Sequence, residues 1–424
     1  MFAPLKFPRH WQPRFRRLCR ELPWLGAAAV STALLLDVIP ALNHPWGSNW
    51  PMYFESARFF WDPTAAYFGW RPPLYPLTLA TLGNSVGYVT AAHWIAQASM
   101  VITIVFSGVV ARLMAGVLPA ALAVLSIPLL QCAVEGAMWT NMYPPAAAAM
   151  SVAAALAVAL RHRPSVGLAI IAGLVAGFAW RMNHLGLVAV PLGLGMSVLA
   201  AHSLRRLVLL PLIFSIGVSG AVIVDHWIVE RWSVPQENLS DQVLQRRREE
   251  LDRIASGQAQ IERYTACTDF QPKPLNMAEL MSPCAQQFVA SNYGTLAAED
   301  CVPDLKTLLW LLPLCLIPSA RRPSWRDSAS SVLLFGGPLG AVLIAAAWTS
   351  YAEKYIISFL AMMVLIAPLA FDRLGGWLGR LIDHVDLGRL AGTAAAAAWV
   401  VSVWPGATTF RADPPNIQRD WESV

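Results

Sequence analysis

The chain reads as an all-α, polytopic helical membrane protein, and three observations carry that reading. Hydrophobic residues make up 56% of its 424 residues and charged residues only 13%, about half the charged share of a soluble domain. The mean hydropathy is +0.49. Apolar runs of about 20 residues, the length that crosses a bilayer, recur from end to end. The net charge of +5 is then an orientation signal carried by short basic loops, not a footprint for nucleic acid. Lysine occurs only at Lys6, Lys273, Lys306 and Lys354, so nearly every basic residue is arginine, a usage that fits a GC-rich bacterial genome.

The pattern predicts about 11 transmembrane helices, at roughly 24–43, 89–112, 115–133, 144–160, 166–181, 184–202, 207–225, 305–320, 329–349, 354–372 and 389–405. The first follows a basic start (Arg9, Arg14, Arg16, Arg17, Arg20). Its apolar stretch is too long for a cleavable signal peptide and no small-residue cleavage site follows, so it is expected to be retained, with the N-terminus inside. That orientation places Arg112, Arg161 with Arg163, Arg205 with Arg206, Arg321 with Arg322 and Arg326, and Arg373 with Arg380 and Arg389 in cytoplasmic connections. Every basic cluster then falls on one side, as the positive-inside rule requires. Tyr75 to Gly87 is apolar but too short to cross, and is expected as a short helix dipping in from the outer face. The expected organisation is an N-terminal membrane domain (1–225) with a first outer loop (44–88), an outer periplasmic module (226–304), C-terminal membrane helices (305–405) and an outer tail (406–424). A bacterial inner membrane is the expected location.

The outer module reads as a small, mostly helical unit. Asn238 or Ser240 can cap a helix through Gln242, Leu244, Arg247, Glu250 and Leu251. Its Cys267, Cys284 and Cys301 sit on the expected oxidising side, which allows one disulfide and leaves a thiol over. Their spacing fits no metal motif. No P-loop, Gly-rich dinucleotide turn or HExxH motif occurs, so neither ATP-driven transport nor a nicotinamide cofactor is indicated. A clear duplication of halves, the mark of many secondary transporters, is lacking as well.

The first outer loop is unlike a simple connector. It carries Trp46, Trp50, Tyr53, Trp61, Tyr67, Trp70 and Tyr75, amphipathic aromatics that settle at a membrane–water interface. Glu55, Arg58, Asp62 and Arg71 lie among them. Pro72 and Pro73 stiffen the chain after Arg71, presenting a guanidinium suited to bidentate capture of a phosphate; the competing reading is an arginine reaching for lipid headgroups. Arg181 and Lys354 are two further cations at outer ends of spans, Lys354 with Glu353 beside it. Three such cations suit an anionic headgroup. Asp37, near the outer end of the first span, is a candidate general base or an acid at a helix end. Glu55 and Asp62 are the acids nearest the loop, each also readable as a solvated surface charge.

Tyr53-x-x-x-Ala57 followed by Arg71-Pro72-Pro73-Leu74-Tyr75-Pro76 resembles the first outer loop of GT-C type glycosyltransferases, in the branch of protein O-mannosyltransferases and lipid A aminoarabinose transferases. Ala172 to Arg181 and Glu353-Lys354-Tyr355 onward to Leu374 are similar to further stretches of that family. The resemblance implies sugar transfer from a polyprenyl-phosphate carrier to a lipid, glycan or protein acceptor at the outer membrane face. It places Arg71 on the donor phosphate with Arg181 and Lys354 in support, and Tyr53, Tyr75 and Glu353 around them. Where the family pattern has its first-loop acid, four residues before the tyrosine, this chain has Asn49. An amide takes no proton at neutral pH, so Asp37, Glu55 or Asp62 assumes the acid's role or the chain is an inactive relative. No cofactor is implied, and a divalent metal is not indicated. The competing class is a transporter of lipids or polyprenyl-phosphate-linked substrates.

Overall fold

The computed structural model describes residues 12–39, 50–68, 72–235, 305–320, 323–348 and 357–403, with single positions at 45, 248, 282, 283 and 286. Most of the outer module, its three cysteines and the tail after 403 lie outside the described residues. Every regular element among the described residues is helical. They are α1 (Gln12–Val38), α2 (Trp50–Arg58), α3 (Leu74–Val86), α4 (Tyr88–Met114), α5 (Val117–Ser126), α6 (Gln131–Met138), α7 (Tyr143–His162), α8 (Val166–Met182), α9 (Ala189–Leu199) and α10 (Leu204–Arg231). After the outer module follow α11 (Leu305–Cys315), α12 (Trp325–Trp348), α13 (Leu360–Met363), α14 (Ile366–Leu381) and α15 (Val385–Val403). Backbone groups satisfied within each segment are what a hydrocarbon environment demands.

Helix falls on each of the eleven stretches read from the sequence, but with uneven lengths. Five helical segments among the described residues are long and apolar enough to cross a membrane, or six if one bent pair counts as a single span. The stretch 115–133 is not one straight helix: α5 passes through a 3-10 turn at Ile127–Leu129 and bends into α6. Pro128 lies in that turn and has no N–H to continue the ladder. The stretch 184–202 likewise begins as a 3-10 turn, His184–Val188, before α9. The short helix expected at 75–87 is present as α3. It meets α4 at Gly87, whose φ of +88° is open to glycine and costly for a side chain.

Burial sorts the helices. α7 is built on alanines (Ala146, Ala147, Ala153, Ala154, Ala157) that are all buried and let α4, α8 and α9 close around it. α10 lies at the rim and exposes Leu207, Val208, Leu212, Ile216 and Ile223, the apolar face expected of a helix bathed in lipid. Even so, α8 and α10 make the most extensive helix–helix contact. A Cβ on Gly173 would collide with the Phe214 carbonyl and one on Gly217 with the Ile170 carbonyl, while one on Gly177 would stand 2.6 Å from the Ala221 methyl. Small residues at four-residue spacing thus bring the two backbones together.

The two ends of the bundle differ in chemistry. α4 is 27 residues long, about 40 Å. At its C-terminal end Arg112 pairs with Glu21 of α1. The same end gathers Arg389 with Asp372 and the Ala115 carbonyl, Arg161 with Asp327, and Arg326 with His202. Arg373, 3% exposed, donates to the carbonyls of Cys315 and Ile317, and Trp377 donates to Pro318 at 2.8 Å. These satisfy carbonyls left open where α11 ends. Basic loops far apart in sequence therefore meet at one end, while the N-terminal end of α4 packs into an aromatic cluster with the first loop.

Candidate functional site at the aromatic end

The first loop folds as a short amphipathic helix with a pinned return. In α2, Tyr53, Ser56 and Ala57 are buried at the i, i+3, i+4 spacing of one helix face, and Phe60 in the turn that follows is buried with them. Glu55 and Arg58 point away from it and pair at 3.1 Å. The Tyr53 ring meets Tyr75 edge to face, centroids 5.1 Å apart. Phe60 stacks at its edge on Tyr67 and on Trp232, which follows α10. The Trp61 indole donates to the Ala80 carbonyl at 3.0 Å, and the Phe68 amide donates to Ser56 Oγ at 3.2 Å. Met142, Tyr143, Ile228 and Val234 complete this buried cluster, with Trp139 and Met182 packed against it. The loop is thereby joined to the ends of α4, α7, α8 and α10.

Beside this cluster lies a charged pair. Arg181 is two turns on from Gly173 and one from Gly177; Asp225 stands in the same relation to Gly217 and Ala221. The ladder of small residues that seats α8 on α10 therefore ends with these two side chains facing each other. Arg181 donates from Nε to Asp225 Oδ2 at 2.7 Å and from Nη2 to the same oxygen. The Asp225 side chain is 5% exposed and that of Arg181 23%. A lone carboxylate so buried would be costly; pairing makes the burial tolerable.

This end also holds buried polar atoms without hydrogen-bond partners among the described residues. They include Tyr75 Oη, Asn183 Nδ2 and Asp225 Oδ1. Burial holds the Tyr75 hydroxyl well above the usual phenol pKa, with the Tyr53 ring adding to the shift, so it stays a neutral donor. Buried polar groups in native proteins are normally satisfied. Such atoms collected beside the loop are groups that a ligand can complete.

The sequence-derived candidates distribute unevenly. Tyr53 of α2 and Tyr75 of α3 share the buried cluster, Glu55 of α2 faces away from it, and Met182, the neighbour of Arg181, packs against it. Asp37 is exposed near the end of α1 away from the Glu21–Arg112 pair. Asp62 is held in a turn by the Thr64 hydroxyl and amide, at 2.6 and 3.0 Å, which keep its carboxyl below the usual range. Arg71, Lys354, Asn49 and Glu353 lie outside the described residues, although Pro72 and Pro73, which follow Arg71, are buried against the cluster's edge. Asp225 is the functional candidate that the sequence reading passed over. Its signal was present: a single acid ending the apolar run Ala221-Val222-Ile223-Val224. Among the described residues no three His, Cys, Asp or Glu side chains converge as a metal site would require.

The bundle of helices with its first loop packed on the span ends is similar in fold to a GT-C type membrane glycosyltransferase of known structure. The chain is similar to the lipid A aminoarabinose transferase ArnT from Cupriavidus metallidurans in two crystal structures. With ArnT bound to undecaprenyl phosphate the TM-score is 0.52 at 16% identity, over 92% of this chain and 74% of ArnT. With apo ArnT it is 0.54 at 15% identity, over 93% and 77%. No protein-family profile and no curated protein sequence matches the chain.

Proposed function

We propose that this protein is a glycosyltransferase that moves a sugar from a polyprenyl-phosphate carrier to an acceptor at the outer face of a bacterial inner membrane. The observation that carries the proposal is one location: the arginine–aspartate pair, the unsatisfied polar atoms and the aromatic loop occupy one end of a GT-C fold. ArnT, which has that fold, was crystallised with undecaprenyl phosphate. In the reaction a bond forms from the acceptor hydroxyl oxygen to the sugar's anomeric carbon while the bond from that carbon to the carrier phosphate breaks. The hydroxyl proton passes to a carboxylate, and negative charge gathers on the departing phosphate. Arg181 lies at the end where that charge would develop, and Arg71 and Lys354 are proposed to share it. Asp37 and Glu55 are the proposed carboxylates. Asp62 is a poor candidate base, because its hydrogen bonds favour the ionised form.

The test is transfer from a panel of labelled polyprenyl-phosphate sugars by the full-length protein in nanodiscs, with Asp37→Asn, Glu55→Gln, Arg71→Ala and Arg181→Ala beside the wild type. Loss of the working carboxylate should lower turnover by about 10² to 10⁴-fold. Transfer indifferent to both arginines would refute the site. If no donor supports transfer, the inactive-relative reading gains, since Asn49 already stands where the family pattern has an acid.

A further inference from the structure

The Arg181–Asp225 pair differs in form from two arginine–carboxylate pairs at the opposite end, Arg389–Asp372 and Arg112–Glu21. Arg389 meets Asp372 fork to fork, Nε to Oδ1 at 2.7 Å and Nη2 to Oδ2 at 3.0 Å. Arg112 meets Glu21 in the same way, both contacts at 2.8 Å. Each of these pairs closes both carboxylate oxygens, the arrangement that best repays burying two charges. Arg181 instead sends Nε and Nη2 to one oxygen of Asp225. Asp225 Oδ1 stays buried without a partner, and Arg181 Nη1 makes no hydrogen bond among the described residues. Even in the single-contact pair Arg161–Asp327 the second carboxylate oxygen accepts from the Ser319 amide at 3.4 Å, so among these pairs Asp225 alone keeps a buried oxygen without a partner among the described residues.

The helix geometry explains how the open form is held. Gly173, Gly177 and Arg181 on α8 face Gly217, Ala221 and Asp225 on α10, and backbone contact along the ladder leaves neither helix room to rotate. Asp225 approaches Arg181 from the α10 side and fixes the plane of the guanidinium. The remaining edge makes no hydrogen bond among the described residues, and the arginine side chain as a whole is 23% exposed. We infer that Asp225 is a positioning residue: it holds Arg181 by one edge so that the other edge takes the phosphate of a phosphate-ester ligand. The inference rests on the carrier-phosphate reading proposed above and assigns a function to a residue that reading does not use.

The sign of one effect separates positioning from charge balance. Full-length protein in nanodiscs would be titrated with undecaprenyl phosphate and, as the uncharged control, undecaprenol. Asp225→Asn should weaken binding of the phosphate about tenfold, the effect of one misplaced charge-assisted hydrogen bond, and leave undecaprenol binding unchanged. If Asp225 only neutralises Arg181, removing its charge makes the guanidinium more attractive to anions. Unchanged or tighter phosphate binding by Asp225→Asn therefore overturns the inference. The double variant Arg181→Asp/Asp225→Arg covers the case in which the single variant fails to fold. It restores an ion pair while moving the cation to α10, so thermal stability should return and phosphate binding should not. Recovery of both would mean that only the pair's stability mattered. A wild type that binds undecaprenol as well as its phosphate refutes the proposed function and this inference together; a preference for the phosphate that survives Asp225→Asn refutes the inference alone.

Discussion

Tyr75 shows how a single side chain can be read in two ways until its surroundings are known. On the sequence it is one of several interfacial aromatics; in the fold it is 1% exposed, braced edge-on by Tyr53, with its hydroxyl lacking a partner among the described residues. An unsatisfied buried hydroxyl costs about 1–3 kcal/mol. Tyr75→Phe should therefore raise the stability of the unliganded protein by about 1 kcal/mol. Thermal unfolding in detergent would register this as a higher Tm, and a lower Tm would show that the hydroxyl is satisfied in the native state. Asp225 is the contrasting case. Its carboxylate is half satisfied by Arg181 and lies too deep to be a casual surface charge.

Helices in this protein meet through their smallest residues. Besides the α8–α10 ladder, α14 and α15 form a hairpin in which Gly375, Gly388 and Gly392 bring backbone against backbone. In a bilayer, where apolar surface gains nothing from leaving lipid, such close packing is the main attraction between helices. Gly173→Val should force α8 off α10 and destabilise the fold by about 1–3 kcal/mol or more. Gly220→Ala is the control, because its Cβ would stand 3.7 Å from the nearest Leu174 atom, an ordinary contact. Melting curves of the two variants should diverge; equal losses would mean that the ladder does not set the helix spacing. Since Arg181 and Asp225 end that ladder, Gly173→Val should also reduce phosphate-carrier binding.

Taken as a unit, the protein divides its polar groups by task. The basic end ties α1 to α4, α7 to α12, and α11, α14 and α15 to one another with arginines whose bonds go to carboxylates and helix-end carbonyls. The aromatic end leaves valences open. Removing one partner of a buried pair costs about 3–5 kcal/mol through the stranded charge. Arg389→Ala, which takes the paired cation from the buried Asp372, should thus lower stability while protein that still folds keeps its affinity for the carrier phosphate. Arg181→Ala strands Asp225, whose side chain is 5% exposed, and should lower stability as well, but unlike Arg389→Ala it should also lose affinity for the carrier phosphate. Paired melting and binding measurements test the division, and loss of affinity in both variants would refute it.

The class of protein, the helical stretches and the gathering of basic loops were legible in the sequence, because hydropathy, span length and arginine placement are local quantities that a bilayer imposes on any chain. So was the first loop's aromatic character, down to the short helix after Pro72-Pro73. The break between α5 and α6 could have been suspected from Pro128, but its bend depends on what the two segments pack against. The partnership of Arg181 with Asp225 was not legible at all. They lie 44 residues apart, and nothing in either span shows which helix its neighbour is. Composition and periodicity determine that a charge sits at a helix end. Which charge it faces, and which of its atoms stay open, is settled by the close approach of two glycine-lined backbones.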